Sequence, residues 1–130
     1  MRHVPLEITA RTCEGRLVVT VTGDLDMATA DKLRGYVAGH TAGRPAPQVV
    51  LDLDQMAFCD SAGLSALVGV WKDLRESGGT VLLVAPRPSL IKILRATGLD
   101  TRLRCHPTLA DALQDPQDRQ RPGAAEPGDR

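Results

Sequence analysis

The chain has 130 residues, 42% of them hydrophobic and 25% charged, which is the composition of one ordinary globular domain. Its 16 basic and 16 acidic residues cancel to a formal net charge of zero, which argues against a nucleic-acid binder that acts through a strong basic field. The three aromatic residues, Tyr36, Phe58 and Trp71, are too few for a base-stacking platform, so we expect no direct nucleic-acid partner.

Cysteine spacing and the N-terminal residues predict the cellular compartment. Cys13, Cys59 and Cys105 are odd in number and widely spaced, which favours neither a disulfide framework nor a zinc knuckle. The opening MRHVPLEITA lacks the apolar run of a signal peptide, and the longest apolar run is too short to cross a bilayer. We therefore predict a cytoplasmic protein with no membrane partner.

The first third of the chain predicts a hairpin followed by a helix. Residues 6–12 and 16–22 are β-branched and partly alternating, as expected for two paired strands. The GDLD segment at 23–26 breaks this pattern. Asp26 is placed to cap a helix over residues 28–40.

The middle of the chain predicts strand, helix and strand. The run QVVLDL at 48–53 is typical of a buried strand, and a loop through Phe58 follows it. Apolar residues at helical spacing predict a long amphipathic helix over 61–77, ended by two glycines. Residues 80–85 predict a second buried strand.

The last part of the chain predicts short elements and a tail. Pro88 begins a helix that ends at Gly98, residues 102–105 predict a short strand, and 108–114 a short helix. The order ββαβαβαβα indicates one α/β domain over 1–114, with helices packed on a mixed, mostly parallel sheet. Residues 115–130 have no aromatic or β-branched member, which predicts a disordered polar tail.

Motifs for catalysis are incomplete. The GLSAL run around Ser65 resembles a nucleophile elbow but has leucine where the second glycine belongs. Asp52 and Asp54 have the spacing of a strand-end magnesium pair, yet no phosphate loop accompanies them, and such pairs more often solvate a loop. We therefore predict no enzyme activity, no cofactor and no metal.

The most informative segment is FCDSAGL at 58–64, which delivers a serine to the start of the long helix. Ser61 or Asp60 is expected to cap this helix. A phosphate on Ser61 would lie against free backbone N–H groups and the positive end of the helix dipole. The fold would tolerate that phosphate, so its effect would fall on a partner.

Several segments in order resemble the STAS domain of bacterial anti-sigma-factor antagonists. LDL followed by FCDSAGLSAL carries the resemblance, together with TGDLD at 22–26, GG before TVLLV at 78–84, and GL at 98–99. The similarity runs from residue 6 to residue 113. It implies the STAS fold.

The resemblance also implies which residues act. The phosphorylated serine of the family's DSxG motif maps onto Ser61, and its acidic loop positions map onto Asp24 and Asp26. The implied partner-binding set is Asp24, Asp26, Asp60, Ser61, Ala62 and Gly63. Many members have glutamate in place of Asp24. Many also have a hydroxyl residue in place of Ala62, and because this chain lacks that second hydroxyl, Ser61 is the sole phosphate acceptor in its motif.

The implied function is partner switching. The unphosphorylated domain binds an anti-sigma factor that is also a serine kinase, and binding releases a sigma factor. The kinase then phosphorylates Ser61, the complex dissociates, and a serine phosphatase reverses the change. The alternatives are a STAS scaffold or a small-ligand-binding module in a stress-signalling assembly.

Overall fold

The computed structural model describes residues 3–115. Its elements in chain order are β1 (Glu7–Cys13), β2 (Arg16–Leu25), α1 (Ala30–Thr41), β3 (Gln48–Asp52), β4 (Met56–Cys59), α2 (Ser61–Glu76), β5 (Thr80–Val84), α3 (Pro88–Thr97), β6 (Arg104–His106) and α4 (Leu109–Leu113). One 3-10 turn, Leu99–Thr101, lies between α3 and β6. No helix within 3–115 is long and apolar enough to span a membrane.

One sheet organises the domain, with its strands in the order β1-β2-β3-β5-β6. Only β1 runs antiparallel to its neighbour, and the pairs β2–β3, β3–β5 and β5–β6 are parallel. The short β4 pairs in parallel with the end of β2. The predicted mixed, mostly parallel sheet is confirmed.

Side-chain alternation along the strands divides the interior into two cores. The larger core lies between one sheet face and α1, α2 and α3, and Val19 and Val21 of β2 point into it. The smaller core lies on the opposite face, where Val18 of β2 packs near Ala112 of α4. Burying each such valine or leucine contributes about 1.5–3 kcal/mol.

The strand β4 corrects the prediction of a loop through Phe58. It has four residues, of which only Met56 is fully buried, so hydrophobic alternation does not mark it. The order is therefore ββαββαβαβα. The GDLD segment is also not a complete break, because β2 continues to Leu25 and pairs there with Cys59.

The start of α1 differs from its prediction as well. The helix begins at Ala30 rather than at residue 28, so Asp26 does not cap it. The Asp26 carboxylate instead accepts the Ala28 N–H at 3.0 Å, and the Asp26 N–H donates to the Thr29 hydroxyl at 2.9 Å. A local turn has therefore replaced the expected first helical turn.

The folded part extends past the predicted boundary at residue 114. Asp115 is buried, and its Oδ2 lies 2.6 Å from Nε2 of His106 in β6. The buried guanidinium of Arg16 donates to the Leu113 carbonyl. Asp115 is therefore not part of a solvated tail, and residues 116–130 lie outside the described residues.

Candidate functional site

The turn between β4 and α2 is closed by Asp60. Its backbone is extended, its Oδ1 accepts the Gly63 N–H at 2.9 Å, and its carbonyl accepts the Leu64 N–H at 2.9 Å. The first contact satisfies one of the orphan donors at the helix start, and the second is the first regular hydrogen bond of the helix. Asp60, and not Ser61, is therefore the N-cap of α2.

Ser61 is the first residue of α2 and is exposed to solvent. Among residues 3–115 its hydroxyl has no hydrogen-bond partner, and neither its own N–H nor that of Ala62 has one. The hydroxyl thus lies beside two unused donors at the positive end of a 16-residue helix. A phosphate placed there meets favourable local electrostatics.

Gly63 allows the start of α2 to approach the end of β2 closely. A Cβ atom on Gly63 would lie 2.3 Å from the carbonyl oxygen of Leu25 and 2.9 Å from Sγ of Cys59. Only glycine fits at that separation. The glycine of the DSAG sequence therefore fixes where Ser61 lies relative to the GDLD segment.

Asp24 holds the N-terminal segment against the sheet. It is 7% exposed, its Oδ2 accepts the Val4 N–H at 3.0 Å, and its own N–H donates to the Val4 carbonyl at 3.0 Å. The predicted partner-binding carboxylate is therefore mostly turned inward. Asp26, which is half-buried, keeps more of its carboxylate at the surface.

His3 lies beside both carboxylates of this loop. Its Nδ1 is 3.4 Å from Oδ2 of Asp24 and 3.9 Å from Oδ2 of Asp26. Within the described residues, this is the one set of histidine, cysteine and acidic side chains close enough to hold a metal ion. A single imidazolium carries one positive charge, so His3 offsets at most one of the two negative charges.

Three exposed hydrophobic side chains near this loop were not predicted to be functional. Of the four large hydrophobic residues that the described chain leaves exposed, Val4, Met27 and Phe58 come from segments that meet at Asp24. Val4 is bonded to Asp24, Phe58 is paired with Asp24 in the sheet, and Met27 follows three residues later. We call these three residues the apolar patch. In the sequence, each of them is only a hydrophobic residue outside the predicted helices and strands, which does not indicate a functional role.

The remaining candidate groups have ordinary structural contacts. Burial, with a smaller effect from Asp60, raises the pKa of Cys59 to about 11, so its thiol is a poor nucleophile near neutral pH. Asp52 Oδ1 accepts the Asp54 N–H at 3.2 Å, which closes a loop. Ser65 is exposed one turn into α2.

The STAS domain family profile matches residues 7–112, most of the chain. This chain belongs to the STAS domain family. An anti-sigma F factor antagonist of Paenibacillus polymyxa is 30% identical to this STAS domain over 94 residues, covering 72% of this chain and 80% of that relative. The crystal structure of an anti-sigma factor antagonist from Mycobacterium paratuberculosis has 32% identity and a TM-score of 0.71, covering 89% of this chain and 96% of that one.

A more distant neighbour shares the fold of this STAS domain. The Bacillus protein SpoIIAA has been solved unphosphorylated, with a TM-score of 0.64 and 15% identity, and phosphorylated, with 0.65 and 18%. The two matches cover 83% and 84% of this chain and 93% and 96% of SpoIIAA. The resemblance inferred from the sequence is confirmed at the level of the family.

Proposed function

We propose that this STAS domain is an anti-sigma factor antagonist controlled by phosphorylation of Ser61. Unphosphorylated, it binds an anti-sigma factor that is also a serine kinase, and a sigma factor is released. Phosphorylation by that kinase ends binding, and a serine phosphatase restores it. The observation that carries the proposal is the exposed, unbonded Ser61 hydroxyl in the same β4–α2 segment that presents Phe58 of the apolar patch.

The geometry supports a switch that leaves the fold intact. A phosphoserine carries about −1.5 to −2 charges at neutral pH. At Ser61 these charges face the free N–H groups of Ser61 and Ala62, so the domain itself accommodates them. A partner that covers the apolar patch must remove water from the phosphate, which costs free energy unless a matched cation is supplied.

We assign distinct roles to the other predicted site residues. Asp60 caps α2 and so positions Ser61, while Ala62 and Gly63 keep the helix start free of bulky side chains. The surface part of the Asp26 carboxylate is available to a cation of the partner. Asp24 acts through Val4, whose position in the apolar patch it fixes.

In this scheme the domain is a substrate and a binding module in the cytoplasm, and the catalytic groups belong to the kinase and the phosphatase. Its own chemical contribution is an exposed primary hydroxyl on a backbone position that the start of α2 fixes. This explains why Ser61 needs no adjacent base on its own chain. The kinase would supply one.

The test begins with capture of the partner from lysate, with and without ATP, followed by phosphate mapping. We expect an anti-sigma factor kinase to bind and to place one phosphate per chain on Ser61. Ser65→Ala is the matched control and should be phosphorylated normally, whereas Ser61→Ala should not. A phosphate mapped to Ser65, Ser77 or Ser89, or capture of other copies of this chain alone, would overturn the proposal.

A further inference from the structure

A groove of about 490 Å³ lies on the solvent side of α2, beginning one turn after Ser61. Leu64, Val68 and Leu99 line it, and each is half-buried against the larger core. Ser61, Ser65 and Lys72 occupy the same helix face, because residues four and seven apart along a helix lie one and two turns away on one side. The groove therefore continues the surface on which Ser61 lies.

Arg34 forms one basic edge of the groove. Its side chain crosses Gly69 of α2 so closely that a Cβ there would lie 2.6 Å from the guanidinium carbon. Two guanidinium nitrogens then bond the Asp73 carboxylate at 2.9–3.2 Å. This edge is held in place by a bidentate ion pair.

In the described chain, three further cations lack an acidic partner: one lines the groove, and two lie over Trp71 of the same helix. Lys72 lines it and is exposed. The guanidinium carbons of Arg75 and Arg102 lie 5.1 and 5.5 Å from the ring centre of Trp71, one turn along α2 from Val68. Among residues 3–115 none of these three cations forms an ion pair. An apolar lining with unpaired positive charge around it is complementary to an acidic, apolar surface.

We propose that this groove binds an acidic amphipathic helical segment of the anti-sigma factor, an inference that rests on the proposed function for the identity of the partner. Apolar side chains on one face of such a helix fit against Leu64, Val68 and Leu99, while its carboxylates meet Lys72 and Arg102. A second copy of this chain is a poorer occupant. In a two-fold contact it would bring the same cations against one another.

The groove can be tested without the natural partner. The probe is an amphipathic peptide of about 15 residues, roughly four helical turns, with leucine on one face and glutamate on the other. A twin with lysine in place of each glutamate is the control. In an NMR titration of the full chain, we expect the acidic peptide to shift the amide signals of Leu64, Val68, Lys72 and Leu99. Equal binding of the basic twin, or shifts confined to the apolar patch, would overturn the proposal.

Charge-reversal variants test the cations that lack an acidic partner. Lys72→Glu and Arg102→Glu should each weaken acidic-peptide binding about tenfold at low salt, and the difference should disappear near 1 M salt, where the screening length is about 3 Å. Arg11→Glu, an exposed reversal on β1, is the matched control and should bind as the native chain does. Thermal melts of all three variants verify folding, and unchanged binding by a folded Lys72→Glu chain contradicts the proposal.

If Ser61 is phosphorylated by its kinase but the peptide does not bind, the groove proposal fails and the proposed function stands. If the peptide binds but the kinase does not phosphorylate Ser61, the proposed function fails and the groove proposal stands.

Discussion

At the residue scale, the Asp60 carboxylate accepts the Gly63 N–H at 2.9 Å while the neighbouring Ser61 hydroxyl faces solvent. Aspartate and serine are both strong N-cap residues, so the sequence could not decide between them. The backbone decides, because Asp60 is extended and Ser61 is already helical. This separation leaves Ser61 available for modification without loss of the cap.

Substitutions at these two positions should therefore differ in their effect on stability. Asp60→Ala removes the side-chain acceptor and should lower the free energy of unfolding by about 1 kcal/mol. Ser61→Ala removes an exposed group and should change it by less than about 0.5 kcal/mol. Urea unfolding measures both, with Asp60→Asn as the variant that keeps an acceptor. A Ser61→Ala chain as unstable as Asp60→Ala would show that the cap is assigned to the wrong residue.

Two helical glycines offer a second comparison at this scale. Gly63→Ala places a methyl group 2.3 Å from the Leu25 carbonyl, so the start of α2 must move, and overpacking of this kind costs about 1–3 kcal/mol. Gly39→Ala, in α1, meets nothing within 4 Å and should stabilise the domain by about 0.5–1 kcal/mol. Thermal melts should move in opposite directions. A Gly63→Ala chain with native stability and native partner affinity would contradict the close approach.

At the element scale, the predictions succeeded where a local signal was strong. The helical spacing from Leu64 to Leu74 and the glycines after Glu76 gave α2 nearly to the residue. Strand β4 was missed because its stability comes from pairing with the end of β2, more than 30 residues earlier, as the Asp24–Phe58 pair shows. The strand propensity of four residues does not show which distant strand they pair with.

The same limit applies to the end of the chain. Asp115 opens a polar segment, and nothing local indicates that its carboxylate is buried beside His106 and lies 3.5 Å from Arg104. The chain between His106 and Asp115 forms α4, which packs on the smaller core and so brings Asp115 back to β6. Removal of everything after Gln114, which the sequence alone suggests is harmless, would delete this carboxylate.

Asp115→Ala should therefore lower the free energy of unfolding by about 1–3 kcal/mol, because a buried hydrogen-bonded charge is lost and His106 keeps no carboxylate partner. Asp111→Ala, an exposed acid on α4, is the matched control and should be close to neutral. Chemical denaturation of both variants makes the comparison. Equal stability of the two would mean that Asp115 contributes nothing to the fold.

At the scale of the whole molecule, the formal net charge of zero includes a local concentration of acidic groups. Asp24, Asp26 and Asp60 gather at the start of α2, whereas Lys72, Arg75 and Arg102 lie toward its other end among the acids Asp73 and Glu76. The sequence alone shows the zero net charge, but the gathering of the three acids depends on the fold. The apolar patch likewise could not be predicted, because Val4, Met27 and Phe58 are distant in the chain.

The central claim is that charge at Ser61 controls partner binding without unfolding the domain, and the comparison of Ser61→Ala with Ser61→Asp tests it most directly. Both variants should melt close to the native chain, because Asp60 keeps the cap and aspartate is favourable at a helix start. Calorimetric titration with the captured anti-sigma factor should give near-native affinity for Ser61→Ala. For Ser61→Asp, burying an unmatched carboxylate at a cost of about 3 kcal/mol should weaken binding more than about a hundredfold. Equal affinities for two folded variants would contradict the account and leave Ser61 as an ordinary surface residue.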